Sequence, residues 1–185
     1  MSERAHRSAC LTAPPPPQLR RGRRLPDIAL PTTAGRDISL ARLAGRTIVY
    51  CYPWTGRPGV PDPPGWDAIA GAHGSTPETL GFRDLYPGFR QARAELFGLS
   101  AQPTAYQREM VARLGVPFEI ISDAELRLQR ALALPTFEAA GCVYLQRLTL
   151  CIKDGRIERV YYPVRLPAAH AREVCAWLGM IDAVL

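Results

Sequence analysis

The chain has 185 residues, 47% of them hydrophobic and 22% charged, with a formal net charge of +6. These values suit one well-buried domain and exclude a chain too polar to fold, while the length is short for two domains. Six arginines (Arg4, Arg7, Arg20, Arg21, Arg23, Arg24) stand in the first 24 residues against one acid, Glu3, so the remainder is close to neutral, which argues against a nucleic-acid footprint spread over its surface.

Residues 1–24 contain the run Pro14–Pro17 and then RRGRR, a composition that predicts a disordered or polyproline arm. RRGRR reads as a solvated tail rather than as a handle for acidic partners or anionic lipid. No apolar h-region follows it and no apolar run is long enough to span a bilayer, so the expected location is the cytoplasm, with no membrane partner. From Leu25 to the end, residues 25–185, the texture is that of a single folded domain. LPDIALPTTAGRDISLARLAG predicts a small hairpin and one helical turn, and RTIVYCY (46–52) a buried central strand. The next segment, PWTGRPGVPDPPGWDAIAGAHG, is long and rich in proline and glycine, as lids and functional loops are. A helix is predicted from Ser75 to about Ala94, interrupted near Tyr86-Pro87-Gly88. ELFGLS (95–100) predicts a strand, TAYQREMVARLG (104–115) a helix and PFEIIS (117–122) a strand. DAELRLQRALAL follows as a helix capped by Asp123, then RLTLCIK and RIERVYYPV as a hairpin, and AAHAREVCAWLGM as a last helix. This order implies an α/β fold of thioredoxin-like architecture, with a mixed central β-sheet and helices on both faces.

The five cysteines (Cys10, Cys51, Cys142, Cys151, Cys175) are odd in number and lack a C-x-x-C, which speaks against a disulfide framework or structural zinc; Cys51, Cys142, Cys151 and Cys175 read as core residues. His6, His73 and His170 have no metal-ligand spacing with them or with one another, and no metal or other cofactor is expected. GSTPETLGFRD (74–84) carries a helix start: Ser75 with Glu78 three residues on forms a capping box, and Pro77 suits the first turn. As an acyl-transfer nucleophile Ser75 would need a base, and His73 is the near histidine, with no acid evident to orient it.

These segments resemble the peroxiredoxin group (alkyl hydroperoxide reductase and thiol-specific antioxidant), closest to its bacterioferritin-comigratory, or Q-type, branch. PDIALPTTAGRDISLARLAGRTIVYCYP is similar to the family's opening, GSTPETLGFRD to its active-site helix, and Arg147 in RLTLCIKDGRI stands where the family keeps an arginine near the reactive sulfur. The likeness runs from Leu25 to about Leu178. It implies thiol-dependent reduction of hydroperoxides, an antioxidant role, a small hydroperoxide substrate, a thioredoxin-like thiol reductant and possible homodimers. In that family the helix N-terminus and the arginine stabilise a peroxidatic thiolate, which becomes a sulfenic acid and is resolved by a second thiol. The positions that match are Ser75 and, five residues on, Leu80, so neither sulfur is present. Arg147 and Thr76 complete the implied catalytic set, with Pro53, Thr55, His73 and Glu78 as pocket residues. Pro53 lies 22 residues before Ser75, where the family spaces them by seven, and Ala72 stands in the family's threonine position, which Thr55 would have to fold back to fill. Two other readings remain open: an enzyme using Cys51 or Cys142 instead, and a silent binding or regulatory module whose contact surface is loop 53–73.

Overall fold

In a computed structural model of the chain, residues 14–180 are described. Short β1 (Leu30–Pro31) and β2 (Asp37–Ile38) pair as a hairpin ahead of β3 (Arg46–Cys51), the central strand. There follow α1 (Ser75–Gln91), β4 (Ala94–Ser100), α2 (Thr104–Leu114), β5 (Ile120–Ser122) and α3 (Arg127–Leu132). A hairpin of β6 (Thr136–Ala139) and β7 (Cys142–Leu145) precedes β8 (Leu148–Lys153), β9 (Arg156–Tyr161) and α4 (Pro167–Trp177). The main sheet has the order β5-β4-β3-β8-β9, parallel from β3 through β4 to β5 and antiparallel from β3 through β8 to β9.

Strand alternation splits the core in two. Ile48, Tyr50 and Tyr52 face one side, with Phe82 and Phe89 of α1, Met110 of α2 and Val174 of α4. Val49, Cys51, Leu99 and Leu150 face the other, against Leu30, Leu128, Leu132 and Leu19. Both faces are covered, as the expected thioredoxin-like α/β architecture requires. The β8–β9 hairpin, the end of β4 and the start of α2 stand where the pattern put them.

Several boundaries differ. Residues 1–13 lie outside the described residues, but residues 14–24 are not a free arm. Leu19 is 3% exposed in the core, Gly22 N–H donates to Ile157 O at 2.7 Å, and Ile157 N–H to Arg23 O at 2.9 Å. RRGRR thus runs along the outer edge of β9, satisfying backbone groups that an edge strand leaves open. Helix α1 passes through Pro87 without interruption, since Phe82 and Phe89 anchor it on both sides of the proline. The helical turn expected after the first hairpin is irregular, β5 keeps only the last three residues of PFEIIS, and α3 starts later than Asp123. Asp123 still serves it, accepting from Leu128 N–H at 3.1 Å and Gln129 N–H at 2.8 Å. Cys142 is exposed rather than a core residue, because it opens β7 on a hairpin outside the main sheet.

Candidate functional site

Helix α1 begins directly after Gly74, whose φ of 104° is left-handed and whose absent side chain leaves room for the Pro167 ring; a Cβ there would stand 2.8 Å from Pro167 Cγ. Gly74, not Ser75, is therefore the N-cap, and the capping box does not form. Ser75 is the first helical residue, 2% exposed, and Glu78 turns inward instead of back to the helix start. Its carboxylate has a stronger partner. Arg147, from the segment just before β8, donates through Nη1 to Glu78 Oε2 and through Nη2 to Ser75 Oγ at 3.2 Å. The same Nη2 donates to the backbone oxygens of His73 at 3.0 Å and Gly71 at 3.4 Å.

The pair is sealed from solvent, with side-chain exposures of 3% for Arg147 and 0% for Glu78. Burial pushes the Glu78 carboxyl above its ordinary value, against the opposing pull of Arg147 and of His170. Ser75 Oγ thus lies at a helix N-terminus and in contact with a buried guanidinium, two features that favour negative charge on that atom.

Of the other expected residues, Thr76 is half-buried in the first turn, Pro53 is buried, and Leu80 is half-buried in α1. Thr55 is 1% exposed and is held by Gln102, whose Oε1 accepts from its N–H at 3.2 Å and its hydroxyl at 3.3 Å, while Tyr106 O–H donates to its carbonyl at 2.8 Å. Its hydroxyl is therefore engaged with Gln102, not recruited to Ser75. His73 contributes its carbonyl to the site and its ring to the surface, where Nε2 lies 2.8 Å from Asp67 Oδ1 and Nδ1 3.9 Å from Asp62 Oδ2. An acid does orient His73, but away from Ser75, whose oxygen is bonded to Arg147. These three exposed side chains also form a potential cation cluster, with ligand atoms within 4.8 Å of one another. The metal reading from cysteine and histidine spacing did not register it, because two of its members are aspartates in the loop.

A second hydrogen-bonded chain, buried at Thr149 and His170 and reaching the surface at Glu173, was not visible in the sequence. Thr149 Oγ1 and His170 Nε2 are 2.8 Å apart, and His170 Nδ1 lies 3.1 Å from Glu173 Oε2, tying α4 to β8 two residues beyond Arg147. The remaining thiols are poorly placed for chemistry. Cys51 is fully buried and its thiol is pushed strongly upward; burial raises Cys151 to about 12 and Cys175 to about 11. Cys142 is exposed at the start of β7 and is not part of a helix first turn.

Loop 53–73 closes the site from above. Trp66, 2% exposed, packs against Tyr144 (4.9 Å between ring centroids), Phe137 (5.5 Å) and Trp54 (5.5 Å), joining the loop to the β6–β7 hairpin. Arg57 lies 3.9 Å above the Tyr106 ring, and Arg113 Nη2 donates to Gly56 O at 3.0 Å, fastening the loop's other end to α2.

The redoxin family pattern matches residues 20–174. The chain belongs to the redoxin family. Among its relatives it is similar to peroxiredoxin Q of Oryza sativa subsp. japonica, a chloroplastic protein, at 26% identity over 154 residues, covering 83% of this chain and 64% of that one. To peroxiredoxin Q of Gentiana triflora it is 23% identical, covering 89% and 74%. The chain thus spans slightly less than two thirds of the rice relative's length. Among solved structures, peroxiredoxin Q of Xanthomonas campestris superposes with a TM-score of 0.67 at 25% identity, covering 84% of this chain and 94% of that one. Peroxidoxin BcpB of Mycobacterium tuberculosis gives 0.69 at 23% identity, covering 89% and 99%. This redoxin is therefore similar to peroxiredoxins of the bacterioferritin-comigratory or Q type and shares their thioredoxin-like fold.

Proposed function

We propose that this redoxin is a peroxiredoxin-type antioxidant protein built for thiol-dependent reduction of hydroperoxides, in which serine fills the peroxidatic position. The observation that carries the reading is Ser75 Oγ in the first turn of α1, 3.2 Å from Arg147 Nη2. A thiol at that atom would be stabilised as thiolate by the helix N-terminus and the guanidinium. It would attack the outer oxygen of a hydroperoxide, forming an S–O bond while the O–O bond breaks and the alcohol departs with a proton. A dithiol reductant of thioredoxin type would then return the sulfenic acid to thiol, releasing water and leaving as its own disulfide. With serine present the pocket keeps its recognition groups but lacks the oxidisable atom, so the chain as written binds hydroperoxide without turnover.

The working compartment we propose is a bacterial cytoplasm, supported by Cys51, Cys142, Cys151 and Cys175 standing as free thiols, which a reducing compartment maintains. Homodimers suit the same reading. The binding-module alternative is less well supported, because loop 53–73 turns Trp54 and Trp66 inward onto the hairpin rather than presenting them. The test is Ser75→Cys in the full chain, assayed for hydroperoxide consumption with a dithiol reductant. We expect consumption to appear in the variant and to be near background in the unmodified chain. Equal activity in both, abolished by alkylating the existing cysteines, would overturn the assignment.

A further inference from the structure

Arg147 Nη2, the nitrogen beside Ser75, has no hydrogen to spare for an incoming ligand in this state, whereas the buried Nε is without a partner. Nη1 is taken by Glu78, and Nη2 serves Ser75 and two loop carbonyls, those of Gly71 and His73. The cavity that Arg147 lines holds about 20 Å³, room for one water. Ser75, Glu78, Arg147, Thr55 and Ala72 are each at most 4% exposed. A hydroperoxide therefore reaches Ser75 Oγ only when the loop moves.

The loop is built to move as a unit. Its backbone bonds close on itself: Trp66 N–H to Pro63 O, Ala68 N–H to Gly65 O, Ile69 N–H to Trp66 O and Ala72 N–H to Ile69 O, at 3.0 to 3.2 Å. A swing about Gly65 and Gly71 keeps the Ala68 and Ile69 bonds and opens only those that cross a hinge, Trp66 to Pro63 and Ala72 to Ile69. Gly65 and Gly71, with φ of 80° and 83°, flank the segment, and a Cβ built at either meets nothing within 4 Å, so both backbones have space to turn. What pins it is the Trp66 ring among Trp54, Phe137 and Tyr144, together with the two carbonyls on Arg147.

We infer that residues 65–73 are a gate: closed, the Gly71 and His73 carbonyls occupy the Arg147 guanidinium; open, released by the Trp66 ring leaving its aromatic socket, they give Arg147 and residue 75 to the ligand. The gate's importance rests on the peroxide reading of Ser75 and Arg147, but its test reads access rather than turnover, so an inert Ser75→Cys chain leaves it standing. The experiment compares Ser75→Cys with Ser75→Cys plus Trp66→Ala, alkylating both folded chains and following modification of residue 75 and of Cys51 by peptide mass. Removing the ring is expected to speed modification at residue 75 by about tenfold or more, as local opening becomes easier, with Cys51 still protected. No acceleration at residue 75, or equal acceleration at Cys51, would overturn the gate. A second readout needs no substitution: in hydrogen exchange on the unmodified chain, the buried Ala72 amide, bonded to Ile69 O, exchanges well ahead of the Tyr52 amide, bonded to Leu99 O. Exchange of the two at one common rate would contradict it.

Discussion

Two arginine–carboxylate pairs in this molecule have good contacts and opposite surroundings. Arg42 meets Asp27 through Nε at 2.9 Å to both oxygens and Nη2 at 2.6 Å, with side chains 76% and 51% exposed. Arg147 meets Glu78 with almost nothing exposed, and its remaining bonds go to a serine and two backbone carbonyls. On the surface, water and salt screen the attraction, and each partner is solvated without the other. In the interior, each charge depends on its partner, and removal of one leaves the other stranded. The difference supports the function proposed above for Arg147–Glu78: a buried pair brings no general stability advantage over an apolar one, yet it fixes a guanidinium at the first turn of α1.

The largest effect is expected from Arg147→Leu, which leaves the Glu78 carboxyl buried without its cation. We expect a loss of about 3–5 kcal/mol in denaturant unfolding near neutral pH. The pH dependence sharpens this. Glu78 titrates above its ordinary 4.5 when folded, so folding favours its protonated form, and its contribution falls as pH rises through the folded value. In Arg147→Leu the lowering influence of the guanidinium is gone, so the stability gap to the unmodified chain should narrow as pH falls through the folded Glu78 values, which lie above 4.5, and be smallest below 4.5, where Glu78 is neutral folded and unfolded. A gap independent of pH would show that the lost packing, not the stranded charge, dominates.

The smallest effect is expected from Arg42→Ala. Arg42 holds Asp27 below its ordinary 3.8, so this pair contributes above that value and the contribution is lost as pH falls through the folded pKa. At physiological salt the melting curve should be unresolved from that of the unmodified chain, at any pH. A clear destabilisation by Arg42→Ala, comparable with Arg147→Leu, would break the contrast.

Much of the fold was legible because its signals are local. RTIVYCY has the continuous apolar texture of a central strand, Gly115 ends α2 in a left-handed conformation, and the Asp154-Gly155 turn joins β8 to β9. What escaped depends on partners distant in sequence. Ser75 and Glu78 have capping-box spacing, and only the fold brings Arg147, 69 residues from Glu78, to claim the carboxylate. Leu19 is one apolar residue in a proline- and arginine-rich stretch, with no periodicity to announce its burial. The β6–β7 hairpin was missed although Phe137 and Tyr144 pair directly across it, because its strands are short and its core is the loop aromatics. Of the site, Ser75 and Arg147 were identified from the motif, and the structure adds their 3.2 Å contact. Thr149, His170 and Gln102 belong to no motif and were found from their bonds.

The most direct measurement is the site of first oxidation in Ser75→Cys. The folded variant is treated with about one equivalent of an organic hydroperoxide, the sulfenic acid is trapped, and the modified peptide is located by mass. The account predicts one added oxygen on residue 75 before any on Cys142, Cys151 or Cys175, with one alcohol released per oxygen gained. Oxidation appearing first at Cys142, with residue 75 untouched, would contradict the placement of the peroxidatic position at the N-terminus of α1.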